Sequence, residues 1–229
     1  VNVETEAPAA APKVYGVNEV YFTIHGEGVR VGIPHVFVRF AKCNLTCDFC
    51  DTEFESFRRY TAEELVAAVT AAADARYAPP EDFTVRGARS RGAHVDRGPC
   101  RNVLFCGGEP LLQLDAPLVA AFKAAGWHIS VETNGTRPAP EGIDWITCSP
   151  KVAEHAIKLQ RAHELKYVRA PEQGIPQPAI EADHYLLSPM FDGPNPDPAA
   201  IANCIKLVMD NPAWRLTAQF QKAAFGDLR

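Results

Sequence analysis

Short apolar runs recur along this chain, and segments of helical period fill several of the gaps between them. The runs are VNEVYFTI (17–24), HVFVRF (35–40), NVLFC (102–106), HISVE (128–132), WITCS (145–149), LKYVR (165–169), HYLLS (184–188) and RLTAQ (215–219). Most have the length of a strand and are rich in β-branched and aromatic residues. Residues 61–77 open with Thr61 and Glu64 at capping-box spacing, then set Leu65, Val66 and Val69 on one face. Residues 116–125 stop at Gly126, a natural helix C-terminus. Residues 196–210 carry an apolar stripe of Ile201, Ile205, Leu207 and Val208. Strand then helix, repeated, predicts an α/β fold with a parallel sheet curled toward a barrel. The units are too few for a full barrel, so we expect an incomplete TIM-like barrel of about six or seven parallel strands.

The organisation is that of a single domain, 15–229, behind an acidic, Ala- and Pro-rich leader at 1–14 that reads as disordered. Residues 78–101 interrupt the pattern. They are rich in Gly, Pro and Arg (Arg86, Arg89, Arg91, Arg97, Arg101) with no apolar period, and read as a solvated inserted loop. A net charge of −5 argues against a nucleic-acid partner. No apolar run approaches the roughly 18 residues that a membrane span needs. Seven cysteines, an odd number with three clustered, suit a reduced cytoplasmic protein better than a disulfide framework.

Polar motifs follow the apolar runs. HVFVRFAK leads into a cysteine cluster, NVLFC into GGEP, HISVE into TNG, WITCS into PK, and HYLLS into PMFDG. Barrel active sites are built from the loops that follow the strands, so these motifs should meet at one mouth.

The stretch KCNLTCDFCDTEF (42–54) packs Cys43, Cys47 and Cys50 into one short loop. A zinc site normally takes four ligands, and no second cysteine or histidine pair accompanies these three. Cys100, Cys106, Cys148 and Cys204 are scattered. A structural zinc with a distant fourth ligand is one reading. The other is a 4Fe–4S cluster, whose irons favour thiolates and whose fourth iron would stay open to an outside ligand.

The C-x3-C-x2-C spacing, with Phe49 before the last cysteine, together with GGEP at 107–110, resembles the radical S-adenosylmethionine (SAM) enzymes. In that superfamily SAM chelates the fourth iron and is cleaved to a radical that abstracts a substrate hydrogen. FTIHGEGVRVGIPHVFVRFAKCNLTCDFCDTEF (22–54) resembles the opening signature of the 7-carboxy-7-deazaguanine synthases, and VETNGT (131–136), SPK (149–151), SPMFDGP (188–194) and WRLTAQFQK (214–222) follow in the same order. The resemblance covers nearly the whole chain outside the leader and the insertion.

It implies ring contraction of 6-carboxy-5,6,7,8-tetrahydropterin to 7-carboxy-7-deazaguanine, with loss of ammonia. It also implies a 4Fe–4S cluster on Cys43, Cys47 and Cys50, with SAM and Mg2+ as further cofactors, and Thr52 as the Mg2+ ligand. The SAM contacts would be Phe49, Cys50, Asp51, Gly108, Ser149, Pro150, Lys151, Ser188, Pro189, Met190 and Phe191. Ile24, His25, Gly26, Arg39, Cys106 and the C-terminal carboxylate of Arg229 would meet the pterin. Glu27 and Glu132 are the candidate catalytic carboxylates. A mid-strand arginine such as Arg39 is costly unless paired, which favours a ligand role. The implied partners are a reductant such as flavodoxin or ferredoxin and a second copy in a homodimer. The chain departs from the family pattern at His25 (Gln there), at Cys106 (Thr there), and at Phe220 and Gln221 (Thr-His there), while Lys222 keeps the Lys that closes that motif. Another radical SAM enzyme, such as a glycyl-radical activase, is the alternative; a zinc-binding module is the remaining one.

Overall fold

Strand direction in this chain is decided by the length of the connections. The computed structural model describes residues 12–47, 50, 53, 55–76 and 99–223. The expected leader through residue 11 and the insertion through residue 98 lie outside the described residues. In chain order the elements are β1 (Tyr15–Ile24), β2 (Pro34–Phe40), β3 (Arg58–Tyr60), α1 (Ala62–Asp74), β4 (Asn102–Gly107), α2 (Ala116–Ala124), β5 (His128–Thr133), β6 (Trp145–Cys148), β7 (Arg161–Arg169) and β8 (Glu181–Pro189). β9 (Phe191–Asp192), β10 (Asn195–Pro196), α3 (Pro198–Asp210), β11 (Trp214–Leu216) and α4 (Phe220–Ala223) follow.

One sheet runs β11-β8-β7-β6-β5-β4-β2-β1-β3. From β2 to β11 every neighbouring pair is parallel. β1 instead pairs antiparallel with both β2 and β3. The first apolar run is therefore not a parallel barrel strand. Its connection to β2 spans only residues 25–33, short of the dozen or so residues that a parallel crossover needs. The last run also shortens: β11 stops at Leu216, and Thr217 to Gln219 leave the sheet.

Alternation then sorts the side chains. Val36, Val38, Phe40, Val103, Phe105, Ile129, Val131, Leu165 and Leu187 are buried with Leu65 and Val69 of α1, Leu118 and Phe122 of α2, and Cys204 of α3. Each large side chain removed from water this way contributes about 1.5–3 kcal/mol. The capping box forms as expected: Glu64 N–H donates to Thr61 Oγ1 at 3.2 Å, and Thr61 N–H donates to Glu64 Oε2 at 2.8 Å. With period two, the intervening residues Arg39, Cys106, Glu132, Thr147, Glu164 and Lys166 occupy the opposite, concave face.

The sheet does not close on itself. The 25–29 turn spans the gap: Phe220 N–H donates to the Gly26 carbonyl at 3.0 Å, and Gly28 N–H to Thr217 Oγ1 at 2.8 Å. Val29 N–H donates to Glu164 Oε2 at 2.8 Å. The incomplete barrel predicted from the strand count is thus a half-barrel whose seam is a polar turn.

Candidate functional site

At the C-terminal ends of β2 and β4, two loops grip each other by their backbones. Gly108 N–H donates to the Phe40 carbonyl at 3.1 Å and Glu109 N–H to the Lys42 carbonyl at 2.9 Å. A Cβ on Gly108 would sit 2.0 Å from that Lys42 oxygen, and one on Gly107, itself at φ +121°, would sit 2.2 Å from the Phe40 oxygen. The two glycines are therefore demanded by the neighbouring loop, whatever else approaches Gly108.

That grip roots the cysteine loop. Cys43 and Cys47 are half-buried, Cys50 is exposed, and all three are free thiols. Cys50 N–H donates to the Cys47 carbonyl at 3.0 Å. Burial pushes the Cys43 thiol up. Among the described residues no group of three or more His, Cys, Asp or Glu side chains is drawn together as a metal site. The donor set nonetheless fits an iron–sulfur cluster: three thiols on one loop, anchored at its root and exposed at its end. Phe49, Asp51 and Thr52 lie outside the described residues, as does Arg229.

A side-chain relay ties the same loop to the end of β5. Asn44 Nδ2 donates to Thr136 Oγ1 at 2.8 Å, and Asn134 Nδ2 donates to Asn44 Oδ1 at 3.1 Å. Glu109, fully buried, accepts from Thr133 Oγ1 at 2.6 Å, Asn134 N at 2.8 Å and Leu111 N at 3.0 Å. Burial pushes its carboxyl up against the pull of these donors.

Beside this lies a cavity of about 320 Å³ lined by Pro150, Lys151, Tyr167, Arg169 and Met190, among others. Of the expected SAM contacts, Pro150 and Lys151 after β6 and Met190 after β8 line it. Lys151 donates to Ser149 Oγ, and burial lowers its pKa. Ser188 and Pro189 are buried at the end of β8, and the Lys222 ammonium stands 5.5 Å over the Phe191 ring. Arg169, which sequence reading passed over, places its guanidinium 5.2 Å over Tyr167. Its buried Nε has no hydrogen-bond partner among the described residues.

The concave face carries the charges. Lys166 Nζ lies 2.8 Å from Glu27 Oε2 and 3.4 Å from Glu132 Oε2, with its side chain 5% exposed. The remaining oxygens are held from the other side. His25 Nε2 stands 3.3 Å from Glu132 Oε1, and Gln221 Nε2 donates to Glu27 Oε1 at 3.3 Å. His25 Nδ1 accepts from Glu27 N–H at 3.4 Å, so Nε2 carries the imidazole proton. Burial alone would raise the Glu132 carboxyl, but the Lys166 ammonium and His25 hold it well below the usual carboxylate range. Burial opposes the Lys166 charge as well, and Glu132, Glu27 and Glu164 overcome it and raise its pKa.

The structure thus brings Glu27 and Glu132 together through Lys166, which was not among the expected site residues. The argument that singled out Arg39, a cation in mid-strand, applies equally to Lys166 in LKYVR and would have found it. For Arg39 that argument needs correction. Its Nε donates to Glu19 Oε2 at 3.3 Å and its NH2 to the Tyr21 hydroxyl at 3.1 Å, so β1 already pairs it without a ligand. Cys106 lies beside it, its thiol pushed by burial to about 12 and so kept neutral. Ile24 ends β1, and His25 and Gly26 open the spanning turn, where a Cβ on Gly26 would meet the Gln221 side chain.

The sequence profile of the radical SAM superfamily matches residues 37–167. The chain is 35% identical to the 7-carboxy-7-deazaguanine synthase of Bacteroides thetaiotaomicron over 208 residues, covering 90% of this chain and 95% of that one. It is 38% identical to the synthase of that name from Burkholderia multivorans over 232 residues, covering 91% and 97%. Its fold superposes on the crystal structure of QueE from Escherichia coli with a TM-score of 0.64 at 20% identity, covering 90% and 94%.

Proposed function

The chain belongs to the 7-carboxy-7-deazaguanine synthases of the radical SAM superfamily, and from that premise we propose how its own residues divide the work. The reaction is the ring contraction of 6-carboxy-5,6,7,8-tetrahydropterin to 7-carboxy-7-deazaguanine with release of ammonia, a step of queuosine and 7-deazapurine biosynthesis. The observation that carries the reading is the end-to-end match to synthases of that name.

Cys43, Cys47 and Cys50 would hold the 4Fe–4S cluster, and Thr52 the Mg2+. When bound, the cluster and SAM supply the one-electron chemistry that removes a substrate hydrogen. Gly108, Ser149 to Lys151 and Ser188 to Phe191, with Phe49 to Asp51 of the cysteine loop, would hold SAM. The pterin would occupy the concave face over Ile24, His25, Gly26 and Cys106. Glu27 and Glu132, ionised, accept the N–H donors of its amino and imino edge. Arg39 offers a planar fork to a carboxylate, a geometry that lysine cannot copy, and Glu19 and Tyr21 orient it. A flavodoxin or ferredoxin would supply the electron, and the enzyme would work as a cytoplasmic homodimer.

The test is anaerobic. Reconstituted protein with SAM, Mg2+, dithionite and 6-carboxytetrahydropterin should yield 7-carboxy-7-deazaguanine by mass spectrometry. Deoxyadenosine release without that product would assign the chain another substrate, and colourless protein holding zinc would end the radical reading.

A further inference from the structure

We propose that Lys166 is a positioning residue that keeps Glu27 and Glu132 together as two ionised hydrogen-bond acceptors for the N–H edge of the substrate. The proposal rests on the reading of the concave face as the pterin pocket.

The geometry is a relay of alternating sign. Gln221 holds the outer oxygen of Glu27, Lys166 sits between the inner oxygens of Glu27 and Glu132, and His25 holds the outer oxygen of Glu132. The groups facing Lys166 are Glu27 and His25 from the spanning turn, Glu132 from β5, Glu164 from its own strand and Lys151 from the segment after β6. Lys151 is the other ammonium among them, but the Glu27 and Glu132 oxygens are bonded to Lys166. Once the shared ammonium is gone, two carboxylates in a buried site favour a proton on one of them, because their like charges repel. A carboxylate offers only acceptors, whereas a protonated carboxyl turns a donor toward the donors of the ligand. Lys166 therefore decides whether this pair fits an amino and imino edge. The direction of the Glu132 shift agrees: its carboxyl is held low chiefly by this ammonium against the cost of burial.

The experiment compares wild-type, K166M and K166R holoenzymes, reading kcat and KM for 6-carboxytetrahydropterin from about pH 8.5 to about pH 6.5, with cluster absorbance and melting temperature as fold controls. Wild-type KM should change less than about twofold, since the Lys166 ammonium stays bonded to both carboxylates. The KM of K166M should rise by about tenfold or more as pH falls, one carboxyl having moved into the neutral range. K166R, which keeps the charge, should follow wild type. A K166M profile parallel to wild type overturns the positioning role alone. Wild type that makes no deazaguanine overturns the pterin reading and takes this proposal with it. Should K166M lose its cluster, the wild-type profile decides: an acid limb in KM above about pH 6, absent from the substrate's own titration, overturns the proposal.

Discussion

Gln221 and His25 both bind Glu27: the amide of Gln221 donates to Glu27 Oε1 at 3.3 Å, and the imidazole of His25 accepts from the Glu27 backbone N–H at 3.4 Å. These are two of the positions at which the chain departs from the synthase pattern, with histidine where that pattern has glutamine at one and the reverse at the other. The tertiary structure makes the two departures neighbours.

A reciprocal exchange predicts compensation. H25Q and Q221H alone should each lower kcat/KM by about tenfold, because each changes the reach and angle of the donor that meets one carboxylate oxygen. The H25Q/Q221H double variant should recover most of that loss, as coupled neighbours do. Additive losses across the cycle would show that the two positions act independently.

Gly108 offers a steric prediction. Gly108→Ala drives a methyl group into the Lys42 carbonyl, 2.0 Å away, and neither partner is a flexible side chain. The variant should lose at least about 2 kcal/mol of stability. It should also bind less iron per chain after reconstitution, because the root of the cysteine loop must shift. Unchanged melting temperature and iron content would remove the backbone grip from the account.

Asp144 predicts a pH dependence. Its carboxylate accepts from Lys123 Nζ at 2.6 and 2.8 Å and from Ile129 N–H at 2.7 Å. Burial would raise its pKa, but the Ile129 N–H and Lys123 outweigh burial and hold it below the ordinary value. A carboxyl with a depressed folded pKa stabilises above its unfolded value of about 3.9, and that contribution is lost as pH falls through the folded value. D144N should thus cost about 1 kcal/mol in urea melts at neutral pH, with the difference shrinking in acid below about pH 3. An equal cost at both pH values would mean that the loss is packing and not charge.

Cluster removal supplies a further check on the cysteine loop. Cys43→Ala, Cys47→Ala and Cys50→Ala should each abolish the brown chromophore and SAM cleavage, while Cys148→Ala, a buried thiol of the β6 core, should keep both. Retention of colour in any of the three would shift that ligand elsewhere.

Much of this architecture was legible in the sequence because its signals are local. Thr61 and Glu64 announce a helix start within three residues, alternation along HVFVRF and HISVE marks strands, and the cysteine spacing names its chemistry without help from the fold. Period two also separates the two faces of each strand. It does not say which face meets helices and which lines a pocket, and so Glu164 and Lys166 in ELKYV went unremarked.

What the tertiary structure decided are the pairings between residues far apart in the chain. Glu19 neutralises Arg39 only because β1 turns back antiparallel on β2. The Lys42 carbonyl demands Gly108 only because β2 and β4 are parallel neighbours. Glu27, Glu132 and Lys166 come from a turn and two separate strands, and their charges acquire meaning only where burial removes the water that would otherwise screen them. By itself the sequence determined the strands, the caps and the kind of cofactor, since each depends on neighbours along the chain. The electrostatic state of the pocket depends on distance through space, and only the fold sets that.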